Sequence, residues 1–208
     1  MAASMTMGLP GVRLRPGDHI CAFYRGPEQR DALLVPYLRE GLRAGDMCLC
    51  VTDDPAAETA VIDLLAESVS DPELARGCLR STDSESTYLA DGCFVIDRML
   101  AFWETEVGGA VTRDGFASVR SVGEMTWALS GRPGVEGLLS YESRLNDFLP
   151  RYPLVALCLY DLERFSDGEL VVEILQTHPA VLIGGQLVEN PWYTDPHDYL
   201  GRRPATAS

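Results

Sequence analysis

An α/β fold is what this sequence predicts, with a mainly parallel sheet covered by helices on both faces and an antiparallel hairpin at the C-terminal end. Three observations predict it. Apolar runs of strand length alternate with amphipathic helical patterns. The strand runs are continuously apolar, as strands buried on both faces are. The last two runs are separated only by Gly184-Gly185, which marks a tight hairpin.

The elements follow in order. "HICAFY" (19–24) reads as the first buried strand. A helix is expected around 28–44, where Leu33, Leu34, Tyr37, Leu38 and Leu42 recur at helical spacing. "DMCLCVT" (46–52) is the second strand. "DDPAAETAVIDLLAES" then opens with an Asp cap and a proline in the first turn, which predicts a second helix. "LRSTD" (79–83) is a short third strand. "FVIDRMLAFWETEV" (94–107) carries Val95, Met99, Phe102 and Trp103 on one broad apolar face. "GFASVRSVGEM" (115–125) contains a fourth strand and "YESRLNDFL" (141–149) lies in a helix. "PLVALCLYD" (153–161) is the most apolar strand, "SDGELVVEILQTH" (166–178) a helix and "AVLIGGQLVEN" (180–190) the hairpin. Residues 17–200 are therefore expected to form one domain, with a loose lead over 1–16 and a frayed tail over 201–208.

Composition excludes several functions. The formal charge of −14 opposes nucleic-acid binding, which needs clustered Lys and Arg. All 17 basic residues are arginines. Without lysine the chain has neither the phosphate-gripping residue of a P-loop nor the amine of a Schiff-base enzyme. No apolar run approaches the roughly 18 residues that suggest a membrane span. The N-terminus also lacks the basic start and apolar stretch of a signal peptide, so a cytoplasmic location is expected. The six cysteines read as buried thiols rather than disulfides.

In open α/β sheets ligands sit beyond the carboxyl ends of the strands. That rule selects Tyr24 and Arg25, Asp53 and Asp54, Asp83, then Arg120, Glu124 and Trp127, and finally Tyr160, Asp161 and Arg164. Acids, arginines and aromatics suit a pocket for a small organic ligand. Equally, an Asp after a strand often only caps the next helix, as Asp53 or Asp54 would before Pro55. "ALCLYD" (156–161) resembles a strand whose terminal Asp holds Mg²⁺, a weak signal without a lysine loop. His19-x-Cys21 and Cys48-x-Cys50 place paired metal-ligand types on strands, but thiol packing is the expected role, and no metal site or cofactor is expected. No nucleophile elbow is present. His178, before Pro179, is expected to meet the dipole at a helix C-terminus. Trp192 and Tyr193 in "ENPWYTDP" are expected to pin a surface loop, the alternative being an aromatic lid.

The segments "HICAFYRGPEQRDALLVPYLREGLRAGDMCLCVTDD", "GEMTWAL", "YESRLND", "VALCLYD" and "THPAVLIGGQLVENPWY", in this order, resemble the MEDS sensory domain across roughly residues 17–193. The resemblance implies a RecA/KaiC-like core in which "YRGPEQR" replaces the phosphate loop. It implies sensing of small molecules, including hydrocarbon derivatives, in bacterial and archaeal signalling proteins. By motif match it carries over His19, Tyr24, Glu124, Trp127, Glu142, Asn146, Tyr160, Asp161 and His178, without assigning any of them a ligand role. No helix-turn-helix, kinase or anti-sigma segment is expected outside the matched region. The expected function is thus a non-catalytic sensing module that acts through a kinase, anti-sigma factor or transcription regulator and that can pair as a homodimer. Its ligand would be hydrophobic or nucleotide-like. The rivals are a partner-binding regulator with a vestigial pocket, and an enzyme using Glu124 and Asp161 on a small metabolite.

Overall fold

A computed structural model describes residues 5–52 and 77–202. Asp53, Asp54 and the helix expected after them lie outside the described residues. Among the described residues, seven strands form the main sheet in the order β5-β4-β6-β7-β3-β8-β9. They are β3 (His19–Tyr24), β4 (Met47–Thr52), β5 (Leu79–Asp83), β6 (Val119–Glu124), β7 (Leu154–Asp161), β8 (Ala180–Ile183) and β9 (Gln186–Glu189). All pairings are parallel except β8–β9, whose two strands flank Gly184 and Gly185. The predicted α/β class, the mainly parallel sheet and the terminal hairpin are therefore present.

Helix α1 (Gly26–Ala44) carries the chain from β3 to β4, past β7 and β6. Pro27 starts it, where a missing N–H costs nothing, and Gly45 ends it at φ 75°, a conformation that favours glycine. Leu34, Tyr37, Leu38 and Leu42 recur at helical spacing and are buried against Ile20, Ala22, Cys48, Cys50, Val122 and Leu157. The opposite face of the sheet is covered by α2 (Ile96–Thr112), α3 (Leu138–Phe148), α4 (Gly168–Thr177) and the short α5 (Pro196–Gly201). Met99, Trp103, Leu145, Phe148, Ile174 and Tyr199 join Cys21, Leu49, Ala156 and Cys158 there in a second core. The alternation of side chains along each strand thus decides which core a residue enters.

Residues 5–16 are not a loose lead. β1 (Met5–Thr6) and β2 (Arg13–Leu14) form a two-stranded antiparallel ladder, and Met7 and Leu14 are fully buried beside α1. The ladder is only two residue pairs long, too short to show as a strand run. Gly8, at φ 82°, permits the contact: a Cβ there would lie 2.4 Å from the Pro36 carbonyl oxygen. At the other end, α5 runs through Gly201 and buries Tyr199 in the core. The 190–195 loop is tied down by Asn190. Its Nδ2 donates to the carbonyls of Leu175 (2.6 Å) and His178 (2.8 Å), while Trp192 is 63% exposed. Trp192 therefore does not pin the loop.

Candidate functional site

Strands β3, β6 and β7 run parallel and end at one edge of the sheet, where Tyr24 pairs in register with Asp161. Even-numbered positions of β3 and β6 face α1, so Tyr24 and Glu124 meet there, next to the first turns of that helix. The Tyr24 hydroxyl donates to Glu124 Oε1 at 2.8 Å, and both side chains are buried. Arg30, one turn into α1, places Nη1 3.8 Å from the same oxygen and is itself held by Asp31 at 2.9 Å. Asp161 accepts from the Glu163 N–H at 2.9 Å. Burial pushes the Tyr24 phenol up, and the charges of Glu124 and Asp161 add to this, with Arg30 opposing. Among the described residues, Glu124, Asp31 and Asp161 thus gather around the buried Arg30 and Tyr24.

The structure brings together Tyr24, Glu124 and Asp161 and adds Arg30 of α1. Of the other expected site residues, Arg25 follows Tyr24 directly, Arg164 lies in the turn after Asp161, and the rest of those described lie elsewhere. Arg25 and Arg164 are exposed. Asp83 organises a turn, accepting from the Ser86 N–H at 2.7 Å. Trp127 is stacked on Tyr88 at 4.5 Å and tilted against Phe94 at 4.5 Å, inside the aromatic core. Tyr160 points to the opposite face of the sheet. Arg120 is corrected most clearly: it is the second residue of β6, at the amino end of the strand. There it is fully buried and donates to Asp46 Oδ2 at 2.7 Å. Asp53 lies outside the described residues.

A second polar cluster lies on the other face, wholly inside the protein. Glu142 of α3 accepts from the Tyr160 hydroxyl at 2.8 Å through Oε1. Its Oε2 lies 3.1 Å from His19 Nε2 and 3.3 Å from His178 Nε2. Cys158 Sγ is 3.5 Å from His19 Nε2 and 3.7 Å from Glu142 Oε2. His19, Glu142 and His178 have no exposed surface. Burial raises the carboxyl of Glu142, but His178 and His19 outweigh it and hold it below the usual carboxylate range. Burial and the neighbouring His178 lower His19, and burial together with Glu142 pushes the Cys158 thiol up. The four side chains offer ligand atoms within 4.8 Å of one another.

Five of the nine motif-matched positions, His19, Glu142, Asn146, Tyr160 and His178, converge here. Cys158, which the sequence marks only as a buried thiol, joins them. The available signal was the shared face of Cys158 and Tyr160 on one strand and of Glu142 and Asn146 one helical turn apart. The pairing of His19-x-Cys21 with Cys48-x-Cys50 does not occur. Cys21 belongs to the core under α2–α5 and Cys48 to the core under α1, and β6 and β7 separate their strands. His178 meets its helix end as expected, its Nδ1 lying 2.8 Å from the Ile174 carbonyl oxygen, while Nε2 turns to Glu142.

Comparison with known proteins gives a consistent result. The family model described as MEDS, MEthanogen/methylotroph, DcmR Sensory domain, matches residues 18–179. The chain is 31% identical over 176 residues to the transcriptional repressor DcmR of Methylorubrum extorquens. That match covers 81% of this chain and 60% of the repressor, so the chain spans less than two thirds of that relative's length. Among solved structures, the KaiC-like protein PH0186 from Pyrococcus horikoshii OT3 superposes with a TM-score of 0.56 at 13% identity, covering 87% of this chain and 80% of that one. The RadB recombinase superposes with a TM-score of 0.54 at 13% identity, covering 83% and 76%. The fold is RecA/KaiC-like. Among the described residues no helix is long and apolar enough to cross a membrane.

Proposed function

Because the chain belongs to the MEDS family of sensory domains, we propose that it is a non-catalytic module that senses a small molecule and passes its state to a protein partner. The observation that carries this reading is the chemistry of the side chains gathered at the ends of β3, β6 and β7. In a nucleotide-hydrolysing relative this is where phosphates need cations and a lysine. Here the chain contains no lysine, and among the buried or half-buried charges of the described residues Glu124, Asp161 and Asp31 face Arg30 alone, with Arg25 and Arg164 turned to solvent. Such a site repels phosphate and favours a small neutral or cationic organic molecule that exchanges hydrogen bonds with the Tyr24–Glu124 pair. The RecA/KaiC-like frame is retained, and the reading makes it a degenerate ATPase core used for binding. The likeness to a transcriptional repressor supports a regulatory output, carried here by a partner such as a transcription regulator or kinase.

Native mass spectrometry of the purified chain, followed by calorimetry with small alcohols, amines and ATP, tests this. The expected result is saturable binding of a small organic molecule that Glu124→Gln weakens at least tenfold, with no heat from ATP. Saturable ATP binding, or turnover of the bound molecule that Glu124→Gln or Asp161→Asn abolishes, would overturn it.

A further inference from the structure

We propose that His19, Glu142, Cys158 and His178 form a closed four-ligand site for a divalent transition metal of the zinc class. The inference goes beyond ligand sensing and rests on hydrogen-bond accounting inside the second cluster. Asn146 Nδ2 donates to three carbonyls, those of Glu142 (3.2 Å), Ser143 (3.1 Å) and Thr177 (2.8 Å). That fixes its amide, so Oδ1 is the atom facing His19 Nδ1 at 3.0 Å, and His19 carries its proton on Nδ1. His178 Nδ1 meets the Ile174 carbonyl oxygen at 2.8 Å and is likewise a donor. Both imidazoles therefore turn Nε2 lone pairs towards the carboxylate of Glu142, and His178 Nε2 makes no well-formed hydrogen bond among the described residues.

The Nε2 atoms of two imidazoles, a carboxylate and a thiol converge on one point, and among the described residues the protons directed at it are those of the Tyr160 hydroxyl and the Cys158 thiol, both aimed at Glu142. A single extra proton satisfies one imidazole and leaves the other facing the carboxylate. Two protons would bury two cationic rings with centroids 4.1 Å apart against one carboxylate. A dication bound to the carboxylate and the thiolate is neutral and satisfies all four groups at once. The geometry also fits. Bonds of about 2.0–2.3 Å in a tetrahedral zinc site give ligand–ligand edges of about 3.3–3.7 Å. Four of the six edges, at 3.1, 3.3, 3.5 and 3.7 Å, lie within about 0.2 Å of that range, and all six are within 4.8 Å. Nδ1–H donation from a ligating histidine to a carbonyl oxygen is the usual outer-shell support, and both histidines have it. Four protein ligands and complete burial leave no open coordination position, so the site is structural, and loading accompanies folding.

The test uses the full chain. Elemental analysis after purification without chelator is expected to give one zinc-class ion per chain. Chelator-stripped protein titrated with Co²⁺ is expected to show visible bands of tetrahedral cobalt and a thiolate-to-cobalt charge-transfer band, saturating at one equivalent. Cys158→Ser removes the charge-transfer band, whereas Cys48→Ser, on the other face of the sheet, keeps it. Wild-type protein with native circular dichroism but neither bound metal nor a cobalt spectrum would overturn the proposal. So would a charge-transfer band that survives Cys158→Ser.

Discussion

Arg120 Nε donates to Asp46 Oδ2 at 2.7 Å, which ties the amino end of β6 to the turn between α1 and β4. The guanidinium also donates to the carbonyls of Thr6 (2.7 Å) and Tyr37 (3.2 Å), and so holds the N-terminal ladder and α1 to the sheet. Removing it strands a buried carboxylate. Arg120→Leu is expected to cost about 3–5 kcal/mol in urea unfolding, and Arg120→Leu with Asp46→Leu clearly less than the sum of the two. Equal additivity would show that the pair is uncoupled.

Gly41 lets α1 approach that arginine. A Cβ at this position would lie 2.7 Å from both Arg120 Cδ and Cys48 Sγ. Gly41→Ala should destabilise by about 1–3 kcal/mol through overpacking. Gly168, the first residue of α4, has open space around it, so Gly168→Ala should be neutral or stabilise by up to about 1 kcal/mol. The two midpoints in one denaturant series check both claims.

Four fully buried tyrosines, Tyr37, Tyr88, Tyr141 and Tyr160, have phenols pushed well above their usual value, chiefly by burial. Their folded pKa values exceed the unfolded value of about 10, so the folded state keeps protons that the unfolded state releases. Their contribution is whole below pH 10 and is lost as pH rises above it. At about 1.4 kcal/mol per group per pH unit, the loss from four groups approaches about 5.6 kcal/mol per unit. Phenolate absorbance and circular dichroism should therefore change together in one steep alkaline transition. Phenolate appearing first, with the fold intact, would refute this.

Trp103 and Trp127 are buried, and Trp192 is 63% exposed beside an apolar groove of about 400 Å³ lined by Phe23, Val171, Leu175 and Val188. Only a minor fraction of the fluorescence should therefore be open to iodide quenching, and Trp192→Phe should remove it. Quenching that persists in that variant would place solvent at one of the core tryptophans.

The α/β alternation was legible because each strand between helices is a continuous apolar run, and the hairpin because Gly184-Gly185 has little other use. The β1–β2 ladder was not, since two-residue strands leave no periodic trace. Arg120 was misplaced because a strand's limits within "GFASVRSVGEM" decide which end of the sheet an arginine reaches, and composition does not fix them. The rule about strand ends selects both Tyr24 and Glu124, whose side chains meet at 2.8 Å. The Glu142 cluster draws on β3, α3, β7 and the residue after α4. His19 and Cys158 stand 139 positions apart, so no local spacing could announce their contact.

Strands β3 and β7 are party walls, and this restricts how the protein can change over time. Tyr24 and Asp161 line the Arg30 cluster on one side, while His19, Cys158 and Tyr160 line the polar chamber on the other. Because neighbouring positions face opposite rooms, one inserted or deleted residue within either strand would exchange the two linings. A lineage can retune either site by point substitution. It cannot lengthen or shorten these strands without exchanging both linings together.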